Sequence, residues 1–320
     1  MGFSDVAPNH APEWLVLAST ASLGIGILFW DLAYILMIRQ SLKDRSYPMP
    51  IVGLAINVSW EIVYALYVAE TAFERLGFTV WLLLDLGIIY TTVRFAPYDW
   101  AHTSKFVGDN MSGILGLMIL VGCWGHLAFV TWFLSEPGRG SGDKTGKWWR
   151  GEEGYDTTEL AFWSAGVAQL VGSACSLAML FVRNHSGGTS YGIWLCRFIG
   201  SLFGMGVTNG LLWWYWPEAH SFWTNPLSVF ICGLSLICEV IFGLVLCGVR
   251  MTETVLPAGE LAISSGRRQE DRRAATDRAV WAGRTSTPPA RTVILATSRV
   301  MWQNERHTPY AMPEPLLYYK

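Results

Sequence analysis

Hydrophobic positions in this chain come in seven long blocks, near residues 14–38, 50–69, 76–96, 112–135, 159–182, 191–215 and 226–250. Each block is long enough to cross a hydrocarbon core about 30 Å thick as a helix rising about 1.5 Å per residue. Polar residues inside the blocks are few, so their positions carry information. The second block, PIVGLAINVSWEIVYALYVA, has no Lys or Arg but holds Glu61 at its centre. Asn57 lies four residues before Glu61 and Tyr64 three after, so a helix places all three on one face. That face is expected to turn into a bundle, away from lipid. A carboxylate at bilayer depth costs a few kcal/mol or more, and such residues mark function by default. Two readings follow: a hydrogen-bond knot between helices, or a buried acid whose proton is used.

Three further blocks also carry acids: Asp31 in the first, Asp85 in the third and Glu239 in the seventh. By helical rise, Glu61 lies roughly 16 Å from the start of its block and Glu239 roughly 20 Å from the opposite side, so the two meet near mid-depth. Ile237, Cys238, Val240 and Ile241 flank Glu239, and such apolar surroundings favour a neutral acid. Asp31 and Asp85 lack a surrounding Asn and Tyr stripe and read as structural partners. Arg197, two turns into the sixth block, is placed to snorkel or to pair with a carboxylate. That block ends in LLWWYWPEAHSFWTNP, an aromatic belt in which Glu218 and His220 follow Pro217 at the membrane edge.

Composition agrees with a polytopic all-α membrane protein, a seven-helix bundle: 52% of residues are hydrophobic, 15% are charged, and there are seventeen tryptophans. Residues 1–250 carry 13 basic and 18 acidic side chains and residues 251–320 carry 10 and 7, so a membrane domain precedes a basic tail. The tail is polar, without apolar periodicity, and is expected to be disordered. Its arginines suit either a solvated tail or contact with anionic lipid head groups. All six cysteines fall in apolar blocks and are expected as small buried side chains, without disulfide or metal-ligand spacing. No phosphate loop or hydrolase motif occurs, and no cofactor, metal or nucleic-acid partner is expected.

Loop charge sets the expected orientation. Arg39, Lys43 and Arg45, then Arg94 and Lys105, then Arg183 lie on one side, against Arg75 alone in the short loops of the other. This predicts a lumenal N-terminus and a cytosolic C-terminus in the endoplasmic reticulum. The N-terminus has no basic region or small-residue cleavage site, so the first helix is expected to remain as an anchor. The fourth-to-fifth connection, residues 136–159, holds four basic and six acidic residues with much glycine, and is expected to be a flexible lumenal insertion.

Five strings now fall in order: SLKDRSYPM, NVSWEIVY, FAPYDWAH, SYGIWLCRFIGS and WYWPEAH. Together with seven spans they resemble the fungal membrane-bound terpene cyclases of meroterpenoid and indole-diterpene biosynthesis, of the paxilline-cyclase and pyripyropene-cyclase type, over about residues 10–250. The resemblance implies a proton-initiated cyclisation of an epoxidised prenylated aromatic or indole. The acid protonates the terminal epoxide, rings close through carbocations, and a base removes the last proton. Two acids that the family needs, in spans two and seven, match Glu61 and Glu239. It also implies a prenyltransferase and a flavin epoxidase as functional neighbours. The 136–159 segment and the long tail depart from the family pattern. Aromatic faces stabilise cations, so Trp60, Tyr64, Trp194, Trp213 and Trp214 are candidates for that role beside Asn57 and Arg197. The alternative is a seven-span proton-coupled transporter or receptor-like protein, for which buried acids serve a relay, although no internal repeat supports it.

Overall fold

A computed structural model describes residues 2–101, 103–255 and 261–262. It contains seven helices long and apolar enough to cross a membrane. They are α1 (Leu15–Asp44), α2 (Ile51–Val63, prolonged by a π-helical turn over Tyr64–Val68), α3 (Ala72–Asp99), α5 (Met111–Phe133), α6 (Thr157–Arg183), α7–α8 (Tyr191–Ser201 and Thr208–Tyr215, joined by a π-helical stretch over Leu202–Val207) and α10 (Pro226–Thr252). Short helices α4 (Lys105–Asp109) and α9 (Pro217–His220) lie in the connections. The predicted blocks and these helices coincide to within a few residues, except that α1 runs on through the polar RQSLKD to Asp44.

Helix starts follow the side chains that satisfy free backbone N–H groups. Thr71 and Glu74 form a capping box on α3, Asp156 caps α6, Ser190 caps α7, and Asn225 precedes Pro226 at α10. Pairwise, α1 packs on α7, α6 on α10, and α2 on α5 and α6. The central core gathers Ala33, Tyr34, Met37, Leu54, Val58, Ile88 and Leu115. Outer faces remain apolar, as lipid contact requires: Leu117, Leu120 and Trp124 on α5 are exposed. All six cysteines are free; only Cys238 is buried and Cys247 is exposed, so their apolar blocks reflect lipid-facing surface as well as interior.

Contacts sort the connections into two ends. At one end Arg183 pairs with Asp99 at 3.0 Å and lies over the Tyr47 ring at 3.9 Å, joining three connections. At the other end the N-terminal segment meets the 136–156 connection and the α8–α10 connection. Here the expectation of a flexible insertion is corrected. Trp148–Trp149 pairs with Glu152–Glu153 across a tight turn in which Arg150 and Gly151 both have positive φ, 53° and 81°. Lys144 and Lys147 are buried, and Lys144 holds Asp156 at 2.8 Å and Glu159 at 2.6 Å. Lys147 reaches Asp5 at 2.7 Å and the Nε2 of His220 at 3.0 Å. Buried charges cost heavily unless paired, and these are paired from four distant parts of the chain. The connection is therefore a fixed cap.

Asp156 feels opposing effects: burial disfavours its charge, but Lys147 and Lys144 outweigh burial and hold the carboxyl below its usual range. His220 is pushed down to about 3, by burial first and the Lys147 charge second. Its contribution to stability is thus present above about pH 6.5 and is lost as pH falls from there, by up to about 1.4 kcal/mol per pH unit. The unfolding temperature of the purified protein is expected to drop between pH 6.5 and 5, and His220→Gln to flatten that drop. Equal slopes would remove His220 from the pH response.

Beyond α10, Thr254–Val255 pairs with Leu261–Ala262. The expectation of a disordered tail otherwise falls on residues outside the described ones.

Candidate active site

Helical spacing in α2 places Gly53, Asn57, Trp60 and Glu61 along one cavity of about 470 Å³. That volume falls within the range of about 300–1,000 Å³ that small-molecule sites occupy. The cavity runs from the capped end, past Phe162 and Trp216, to a polar group formed by Glu61, Asn57, Tyr34 and Arg197, and on to Gly53 and Met49. Glu61 is 1% exposed and Asp85, on α3, is fully buried. Asn57 joins them: its amide nitrogen lies 2.8 Å from Glu61 Oε1, 2.8 Å from Asp85 Oδ2 and 2.7 Å from the Tyr34 hydroxyl. An amide has two hydrogens to give to these three oxygens. Among the described residues, no Lys, Arg or His forms an ion pair with Glu61 or Asp85.

Glu239 has a different environment. Its Oε1 accepts from Ser173 Oγ at 2.8 Å and from the Arg197 guanidinium. The apolar surroundings read from its chain neighbours are corrected, because Ile237, Val240 and Ile241 face outward while Glu239 faces α6 and α7. So Glu61 has Asp85 beside it in place of Glu239, and Glu239 has a cation. Arg197 and Ser173 line the cavity, with Glu239 behind them.

A family model described as Pyr4-like transmembrane terpene cyclases matches residues 4–252. The chain belongs to this family of membrane terpene cyclases. Among curated relatives it is 36% identical to terpene cyclase ascF of Acremonium egyptiacum, over 81% of this chain and 92% of the relative. It is 35% identical to terpene cyclase penB of Penicillium crustosum, over 78% and 94%. It is 33% identical to the Pyr4-family terpene cyclase mfmH of Annulohypoxylon moriforme, over 70% and 83%. No solved structure matches the chain.

The cyclase is thus an integral, multi-pass membrane protein of fungal secondary metabolism. Its aromatic residues divide unevenly. Trp60 lines the cavity, its indole donating to Ser164 Oγ at 3.0 Å and stacking on Tyr64 at 4.8 Å. Tyr64 itself packs into the second core, with its hydroxyl 2.5 Å from Ser164 Oγ. It does not line the cavity, and neither do three tryptophan candidates. Trp194 packs on Gly243 and donates to the Glu239 backbone carbonyl at 2.8 Å. Trp214 is 68% exposed, and Trp213 meets it edge-on. In their place the cavity is walled by Trp30, Trp81, Phe78 and Phe162. Spacing offered one signal for two of these: Trp81 is four residues before Asp85, and Trp30 four before Tyr34. Asp31 lines the cavity as well. Glu218, half exposed and 3.5 Å from His10, sits at the capped end, while His220 belongs to the cap network.

Proposed function

We propose that this cyclase opens the terminal epoxide of a prenylated aromatic or indole-diterpene precursor by protonation from Glu61, and closes the prenyl chain into rings through carbocations. The observation that carries the reading is the contrast between the two buried acids. Glu61 faces the cavity with Asp85 beside it and, among the described residues, no ion-paired cation, whereas Glu239 is paired with Arg197. Two adjacent buried carboxyls cannot easily both be ionised, so the Glu61 cluster retains an acid proton. Two acids with opposed environments supply donor and acceptor roles in one reaction.

The chemistry balances without a co-reactant. Glu61 gives its proton to the epoxide oxygen as the C–O bond breaks. Alkene π-electrons then form the new C–C bonds. The last cation loses a proton to Ser173 Oγ as that hydroxyl passes its own proton to Glu239, 2.8 Å away, to which we assign the role of terminal acceptor. The product is an isomer of the substrate. Trp60, Trp30, Trp81 and Phe78 present faces to the cations, each worth up to about 2 kcal/mol when desolvated. The cap and the apolar walls limit the water that would trap them. Expression in a fungal host fed with epoxidised prenyl-aromatics is expected to yield cyclic isomers; unchanged epoxide at normal protein level would overturn the reading.

We further assign the capped end to the lumen of the endoplasmic reticulum, from the excess of Lys and Arg in the connections at the other end. An engineered glycosylation site in the N-terminal segment is expected to be modified and one in the α3–α5 connection to stay unmodified. The reverse pattern would invert the assignment.

A further inference from the structure

We infer that the substrate enters sideways from the bilayer, through a gap between α1 and α3, with the prenyl tail leading. This rests on the reading that the cavity takes a prenylated epoxide. The N-terminal segment is tied across the capped end of the cavity, where Phe3 and Phe73 are still partly exposed. At the capped end the Gly2 backbone N–H donates to Thr157 Oγ1 at 3.2 Å, Val6 N–H to the Gly146 carbonyl at 2.8 Å, and Lys147 holds Asp5. Toward the other end lie Glu61, Asn57 and Arg197, and beyond them Gly53 and Met49. The wall between α1 and α3 is different. Leu23, Ile27, Leu76, Gly77 and Val80 all line the cavity, and Leu76 is 60% and Val80 39% exposed. Side chains that touch both an interior space and the surface frame an opening.

Glycines mark where the opening begins and stops. A Cβ on Gly77 would meet no heavy atom within 4 Å, whereas Gly87, nearly three turns further along α3, is covered by Ile38 of α1. The helices are therefore in contact at Ile38–Gly87 and parted at Gly77. The frame is apolar and lies about 8 Å into α3 by helical rise, at the boundary between head groups and lipid chains for a helix of 28 residues centred in the bilayer. An amphiphile with an aromatic head near the interface and a prenyl chain in the core meets this gap tail first. Its distal epoxide then reaches Glu61 while the head stays near the cap, where Phe3 and Phe73 pair at 6.0 Å.

The test uses the full-length protein in microsomes and a farnesylated phenol with a diazirine midway along its prenyl chain. Labelling that excess farnesyl-phenol epoxide competes away is mapped by peptide mass spectrometry, and conversion of the epoxide is measured in the same membranes. Gly77→Trp fills the gap; Gly24→Trp, equally open on α1 but outside the cavity lining, is the control. Competable adducts on α1 and α3 are expected, cut about tenfold or more by Gly77→Trp and unchanged by Gly24→Trp. Competable labelling confined to the cap, labelling indifferent to Gly77→Trp, or no competable labelling would overturn the lateral entry. Competable adducts at the gap without conversion of the epoxide would leave the entry standing and sink the cyclisation reading instead.

Discussion

Glu61→Gln is expected to lower product formation at least about a hundredfold, the lower range for loss of a general acid, at unchanged protein level. Gln keeps the length of the side chain and its Oε1 still accepts from Asn57, so the link to Asp85 and Tyr34 survives. What disappears is the acidic proton facing the cavity. Glu61→Asp keeps the proton but withdraws it by one methylene, so partial activity is expected. Turnover in microsomes, normalised to immunodetected protein, separates the cases. Near-normal turnover of Glu61→Gln would remove Glu61 from the mechanism.

Arg197→Met is expected to cost about 3–5 kcal/mol of stability, the usual penalty for stripping a buried carboxylate of its partner. Glu239 is 2% exposed and has Ser173 as its other donor. The double variant Arg197→Met with Glu239→Gln removes both charges and is expected to recover much of the lost stability without recovering product. Thermal unfolding in detergent reads the first part and microsomal turnover the second. A silent Arg197→Met would show that the pair carries little energy. An active double variant would show that Glu239 is not the acceptor. Glu218→Gln changes an exposed acid outside the cavity lining and is expected to cost far less.

The seven helices were legible because lipid imposes one requirement on every span, a long apolar run, and that survives in one dimension. Glu61 was legible for the same reason, as a charge that breaks such a run. Its partner was not. Asp85 is 24 positions away on another helix, and only packing shows that Asn57 reaches both. Chain neighbours misled at Glu239, since Ile237, Val240 and Ile241 line the helix surface and Arg197 comes from α7. Tryptophans were equally abundant at the membrane edge and at the cavity, so composition could not separate Trp214 from Trp81. The cap was misread because Lys144 and Lys147 look solvated among glycines; Asp5, Asp156 and His220, which pair with them, come from distant segments.

Microsomes containing the wild-type chain, given a farnesyl-aromatic substrate with and without its terminal epoxide, test the central claim most directly. Acid opening of the epoxide requires a cyclic product of unchanged mass from the epoxide and no reaction of the epoxide-free chain. Cyclisation of the epoxide-free chain, or a diol one water heavier from the epoxide, would contradict it.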